Sequence, residues 1–216
     1  LSPTGDSAAF LLDDRTVHLR RLPSGAELGR FQLTGDLRTR SICFNRQGDQ
    51  LAFVRLSGGK SLEERIPNAR VDIWTAGDDG QWHEAEKLVL PGAVDVLSST
   101  RGWFVTAYAQ EPRLGMLINL VSKAVVWRFE YAPDWIPEVA LSPDGKWLAT
   151  ETTTSASQMH AVVDIADLDT GARVTRLTSP LGMLRHLTFS PGGEYLICSG
   201  ESRGAIYEIP GFNQVA

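Results

Sequence analysis

The sequence predicts an all-β fold of about five repeated four-stranded antiparallel sheets, and three observations predict it. One motif, an apolar strand, a polar turn containing glycine and a second apolar strand, occurs five times. Its turn glycines, Gly5, Gly48, Gly102, Gly145 and Gly193, are spaced by 43, 54, 43 and 48 residues, the length of one four-stranded repeat unit. Between the motifs apolar residues alternate with period two, while the 3.6-residue period of an amphipathic helix is nearly absent.

The elements follow in order. The five hairpin motifs cover residues 1–11, 42–53, 94–105, 139–149 and 187–197. Third strands with strict alternation are expected at 17–19, 71–73, 116–120, 161–165 and 205–209, and fourth strands at 27–33, 83–90, 124–129 and 173–177. The fifth copy is expected to stop after its third strand. The copies thus span approximately 1–36, 37–92, 93–136, 137–184 and 185–216, as one repeat region over 1–216 whose first and last copies are incomplete. The long second step is explained by an insertion. Residues 61–65 could form one helical turn, but Gly58, Gly59 and Pro67 favour a loop.

Turn chemistry supports these assignments separately. In the fourth copy Pro143 presets φ at the first corner, Asp144 tolerates the second, and Gly145 supplies positive φ without steric cost. Gly77-Asp78-Asp79-Gly80 invites comparison with a calcium loop, but it lacks the many oxygen ligands of such a loop and is expected to be a plain hairpin turn.

Composition narrows the function classes. With 43% hydrophobic and 22% charged residues the 216-residue chain has the balance of a well-cored protein. No apolar run approaches the roughly 20 residues of a membrane-spanning helix. A net charge of −5 disfavours binding to a phosphate backbone, so a protein partner is expected, and neither nucleic acid nor a membrane. Cys43 and Cys198 lie in apolar strand-like runs and are expected to be reduced core thiols. No basic segment followed by an apolar one opens the sequence, so cytoplasmic localisation is the default expectation, although a cropped N-terminus would hide a signal.

The segment Leu141-Ser-Pro-Asp-Gly-Lys-Trp-Leu-Ala149, followed by Val163-Asp-Ile-Ala-Asp-Leu-Asp-Thr-Gly171, resembles a WD40 repeat of the kind common in bacterial proteins. The run 187–191 with 206–209 is similar to the same unit, and the resemblance extends over essentially the whole chain, weakly in the third copy. It implies a β-propeller whose four-stranded blades number about five here, forming part of a seven-bladed ring with the remaining blades elsewhere in the parent chain. A self-contained five-bladed ring is the alternative. The family's Trp-Asp pair is missing: its slot holds Arg20-Arg21, Trp74-Thr75, Ile118-Asn119, Ala166-Asp167 and Tyr207-Glu208. The family's His-Ser-Trp-Asp hydrogen-bond network is therefore not carried over, and apolar packing between blades is expected to hold the fold.

No catalytic, cofactor or metal site is expected. His18, His83, His160 and His186 fall in four different copies without metal-ligand spacing, and Gly-x-Ser-x-Gly does not occur. Trp74, Trp103, Trp127 and Trp147 lie in strands and are expected to pack between blades, with Trp82 opening a fourth strand. Trp135 differs, since it sits in a proline-bounded connection where docking a stiff aromatic costs little entropy. By the geometry the resemblance implies, loops between second and third strands share one face with loops between copies. That face is expected to carry the partner-binding candidates Arg55, Arg65, Arg70, Arg113, Trp135, Met183 and Arg185, residue types suited to interfaces.

The leading expectation is a non-catalytic interaction or sensor module that binds a protein partner through this loop face, within a larger multidomain protein. In bacteria such repeats resemble the sensor regions of signal-transducing NTPases and kinases. One alternative is a propeller enzyme of the hydrolase or lactonase kind, with carboxylates gathered on the inner strands. Asp95 is the one carboxylate within the first strands, which disfavours it. The other is a propeller that gates the substrate of a peptidase.

Overall fold

The computed structural model describes residues 1–12, 15–35, 37–57, 69–109, 114–131, 137–152, 161–179, 184–200 and 203–216. Nineteen strands form five antiparallel sheets, and no helix occurs among the described residues. Sheet 1 has β1 (Ser7–Leu12), β2 (Thr16–Arg21) and β3 (Glu27–Gln32) in sequence order. Sheet 2 follows with β4 (Arg38–Phe44), β5 (Gln50–Leu56), β6 (Arg70–Ala76) and β7 (Trp82–Val89). Sheet 3 comprises β8 (Ala93–Ser99), β9 (Gly102–Ala109), β10 (Leu114–Asn119) and β11 (Val125–Glu130). Sheet 4 comprises β12 (Val139–Leu141), β13 (Trp147–Glu151), β14 (Ala161–Asp167) and β15 (Ala172–Ser179). Sheet 5 contains β16 (Leu184–Phe189), β17 (Tyr195–Gly200), β18 (Gly204–Glu208) and β19 (Asn213–Gln214). Each strand follows its predecessor across the sheet, so every repeat is an antiparallel meander that pairs consecutive segments.

Two expectations change. The fifth copy does have a fourth strand: β19 pairs Asn213 with Glu208 and Gln214 with Tyr207, extended by Val215 N–H donating to Ile206 O at 2.8 Å. The reversal that brings it back passes through Phe212, at φ 54. The second change concerns Arg70, expected on the loop face, which instead opens strand β6. The insertion itself, with the 61–65 helical turn, lies outside the described residues.

The chain divides into two compact units, Leu1–Ser98 with Gly102–Tyr108, and Ser99–Arg101 with Ala109–Ala216. Sheets 1 and 2 belong to the first and sheets 4 and 5 to the second. In the first unit, period-two alternation sends Val17, Leu19 and Phe31 of sheet 1 toward Phe44, Leu51, Phe53 and Trp74 of sheet 2. Phe31 stacks on Trp74 at 4.2 Å between centroids and meets Phe53 edge to face at 6.1 Å, arrangements favoured by the ring quadrupole. In the second unit Ala149, Val163 and Ile165 of sheet 4 pack on Leu196, Cys198 and Tyr207 of sheet 5, closed by Phe212 edge-on to Trp147 at 5.4 Å. Cys43 and Cys198 are both free thiols. Cys198 is buried, and burial pushes its pKa to about 12 and that of Cys43 to about 11. No helix among the described residues is long and apolar enough to cross a membrane.

Candidate functional site

The two ends of the sheets are built differently. At one end lie the turns joining first to second strands, and four copies share one hydrogen-bond pattern. Ser2, Asn45, Ser142 and Ser190 each donate N–H to the carbonyl of the residue five positions on, and each accepts from a glycine N–H three positions on. Their side-chain oxygens then accept a further N–H, from Ser7, Gln50, Trp147 and Tyr195 respectively. The hydroxyl of Ser142 also donates to Asp144 Oδ1 at 2.5 Å. Polar groups at this end are thereby satisfied within each turn, the arrangement Ser and Asn side chains favour in turns. The turns of sheets 3 and 4 interlock: Thr100 N–H donates to Pro143 O at 2.8 Å, and Arg101 donates to Asp144 O and forms an ion pair with Asp169.

At the opposite end of sheet 2, the alternation that places Leu51 and Phe53 on the inward face also places Arg55 there, opposite Arg70 in the register. Arg55 is fully buried, and so is Asp72. The Asp72 carboxylate takes a bond from Arg55 Nη1 at 3.2 Å and one from Arg70 Nη2 at 2.8 Å. Arg55 spends its remaining terminal donors on the connection between sheets 1 and 2, at Thr34 O (2.6 Å), Gly35 O (3.4 Å) and Leu37 O (2.6 Å). Arg70 adds a bond to Thr34 O at 3.2 Å. Burial holds the Arg55 pKa below the usual guanidinium value, Asp72 offsets part of that, and Arg70 and Arg15 oppose the recovery by charge repulsion. One carboxylate thus holds two guanidiniums, and the guanidiniums hold a loop.

Sheet 4 repeats the carboxylate in a more open setting. Asp164 occupies in β14 the place of Asp72 in β6, and Arg176 grips it with two bonds of 2.6 and 2.7 Å, with Arg173 at 3.6 Å. Burial acts to raise its pKa, but Arg176, Arg173 and the Thr152 hydroxyl together hold it below the usual carboxylate value. On β8, the first strand of sheet 3, Asp95 has a raised pKa because burial disfavours its charge, against the opposing influence of Arg40 and the Ser41 hydroxyl.

The candidate residues therefore separate. Arg55 and Arg70 come together, but Arg55 is a buried structural anchor and not a loop contact, because its strand position faces the neighbouring sheet. Arg185 is exposed at the start of β16, beside a break in the β16–β17 register. Arg65, Arg113, Trp135 and Met183 lie outside the described residues, as does 153–160. Gly77 to Gly80 forms the expected hairpin turn, with Gly80 N–H donating to Gly77 O and Asp79 accepting from Gln81 N–H. No three His, Cys, Asp or Glu residues cluster as a metal site among the described residues. Sequence reasoning missed Asp72. Its signal was a carboxylate between apolar neighbours in a strand whose alternation pointed it inward.

In fold, the chain is similar to a chain of Kuenenia stuttgartiensis hydrazine synthase, a protein that contains a β-propeller, with a TM-score of 0.65 at 17% identity. The match covers 98% of this chain and 62% of that one, so this chain spans less than two thirds of its length. In all, 1137 solved chains match, so the likeness is to a widely used architecture and speaks to fold alone. No protein-family model matches the chain, and no curated protein matches it. With its antiparallel meander sheets and this likeness, the chain has the blades of a β-propeller.

Proposed function

We propose that the chain is a non-catalytic, WD40-like interaction or sensor module of a larger, cytoplasmic protein that supplies further blades, and that it binds a protein partner at the end opposite the interlocked turns. The observation that carries this reading is the contrast between the two ends. The turn end satisfies its polar groups internally in four copies. At the other end a buried charge network holds the connection at Thr34, Gly35 and Leu37 in place. Binding residues concentrate on loops that a rigid scaffold positions, and the second end has that construction. The net charge of −5 supports a protein partner over nucleic acid.

The test is partner recovery by the parent protein in three forms: unaltered, with Trp135→Ala and Arg185→Glu together, and with Arg46→Glu at the exposed turn end. Loss in the second form and retention in the third is the expected result. Equal recovery in all three would contradict the assignment of the binding end.

A further inference from the structure

The last two strands of sheets 1 to 4 place a cation at one repeated position. Just before the register break in each hairpin, His18 faces Arg30, Asp72 faces Lys87, Met116 faces Arg128 and Asp164 faces Arg176. In sheet 4 the pair is complete, since Arg176 donates two bonds to Asp164. In sheet 2 Lys87 reaches Glu84 at 2.6 Å. In sheet 3 a thioether replaces the carboxylate: Met116 stands where Asp72 and Asp164 stand, and the exposed Arg128 has no ion pair among the described residues. Arg30 of sheet 1 has none either, but Trp82 of β7 lies against the adjacent Gly29 and flanks that strand. The sheet 3 hairpin departs from its equivalents twice more. Gly25, Lys123 and Gly171 each donate N–H to the carbonyl that opens the same turn, at Arg21, Asn119 and Asp167. The left-handed position held by two glycines is thus held in sheet 3 by Lys123, at φ 58, a conformation that side chains disfavour. The tip of that turn carries Val121, 82% exposed, where sheet 4 has Asp169.

We propose that β11 takes an extended segment of a partner protein as an added antiparallel strand, with an acidic side chain of that segment against Arg128 and an apolar one against Val126. Strand β11 is an edge of sheet 3, so one row of its backbone N–H and C=O groups is turned away from β10. Its sequence, Val125 to Glu130, is β-branched and aromatic without Gly or Pro, the composition that pairs well in sheets. Exposed Val126, Arg128 and Glu130 alternate with half-buried Val125 and Trp127 and buried Phe129. Directly opposed residues of an antiparallel pair share a face. An added strand that presents basic, acidic and apolar residues at every second position therefore matches Glu130, Arg128 and Val126 in turn. The Asp164–Arg176 pair shows the same contact made within the chain. Main-chain bonds supply affinity in such additions, and the alternate side chains select the partner. The contact uses a strand edge and not the loop end, so its test does not depend on which end of the blades binds a partner.

Two end-blocked, fluorescently labelled peptides test this by anisotropy with the 216-residue chain. The acidic probe is Thr-Lys-Thr-Asp-Thr-Val-Thr, whose Lys, Asp and Val would face Glu130, Arg128 and Val126; the basic probe has Lys in place of Asp. The unaltered chain is expected to bind the acidic probe more tightly, with amide exchange slowed along β11. Arg128→Glu should weaken the acidic probe by about fivefold or more and strengthen the basic one by a similar factor, because unlike charges directly opposed stabilise a strand pair and like charges destabilise it. Arg30→Glu, the same position in sheet 1, is expected to leave both affinities unchanged, with circular dichroism confirming that each variant is folded. Absence of binding by the acidic probe would overturn the proposal and leave Arg128 as a charge that only guards the edge. Equal loss in Arg128→Glu and Arg30→Glu would also overturn it, since the attraction would then be to charge in general and not to β11.

Discussion

At Asp72 a single carboxylate balances two guanidiniums in a fully buried setting, and the consequence of losing it follows from solvation. Removing one partner of a buried ion pair leaves an uncompensated charge, which typically costs about 3–5 kcal/mol. Asp72→Ala is therefore expected to destabilise by that amount in urea unfolding. Asp164→Ala, where water reaches the pair, should cost only about 1 kcal/mol. Equal costs would show that burial does not govern the difference. Asp95 gives a pH-dependent case. A carboxyl whose folded pKa is raised contributes fully to stability below its unfolded pKa, and that contribution is lost as pH rises through the folded value. Asp95→Asn, neutral at every pH, should melt above the parent at neutral pH, with the gap closing toward acid. The role of Arg55 was half legible in the sequence. The alternation Leu51, Phe53, Arg55 already aimed it inward, but its partner Asp72 lies 17 positions away, beyond an insertion, and only the β5–β6 register brings them together.

The turn is the element that the sequence specifies best. Ser-Pro-Asp-Gly carries its own geometry, and Gly145 takes the expected positive φ, at 72°. The structure adds an environment that spacing could not show. A Cβ on Gly145 would lie 2.8 Å from Ser99 Oγ and 2.9 Å from the Arg101 side chain, whereas one on Gly5, at φ 71°, would meet nothing within 4 Å. Both Gly→Ala substitutions bear the left-handed backbone penalty of roughly 1–2 kcal/mol. Gly145→Ala must also displace the interlocked neighbour, so its melting temperature is expected to fall further than that of Gly5→Ala. Equal shifts would indicate that the turns do not interlock. Strand β19 escaped prediction because two polar residues, Asn213 and Gln214, show no hydrophobic alternation; their pairing comes from backbone groups brought back by the turn before them.

For the molecule as a whole, blade number and strand order were legible because one spacing recurs and each meander is local in sequence. The binding surface was less so. Its candidates were placed by analogy with loops of related propellers, and of the seven only Arg55, Arg70 and Arg185 fall among the described residues, the first of them buried. Types of residue suited to an interface are also types suited to a buried network, and Arg cannot be told apart in the two roles without the register. The central claim is that one blade unit recurs with its turn end locked, and amide hydrogen exchange on the 216-residue chain tests it most directly. The account predicts slow exchange at the Ser7, Gln50, Trp147 and Tyr195 amides and along β5, β13 and β17, with faster exchange in the outer strands β3, β7 and β15. Rapid exchange at those four amides and through β5 and β13, alongside protected outer strands, would contradict it.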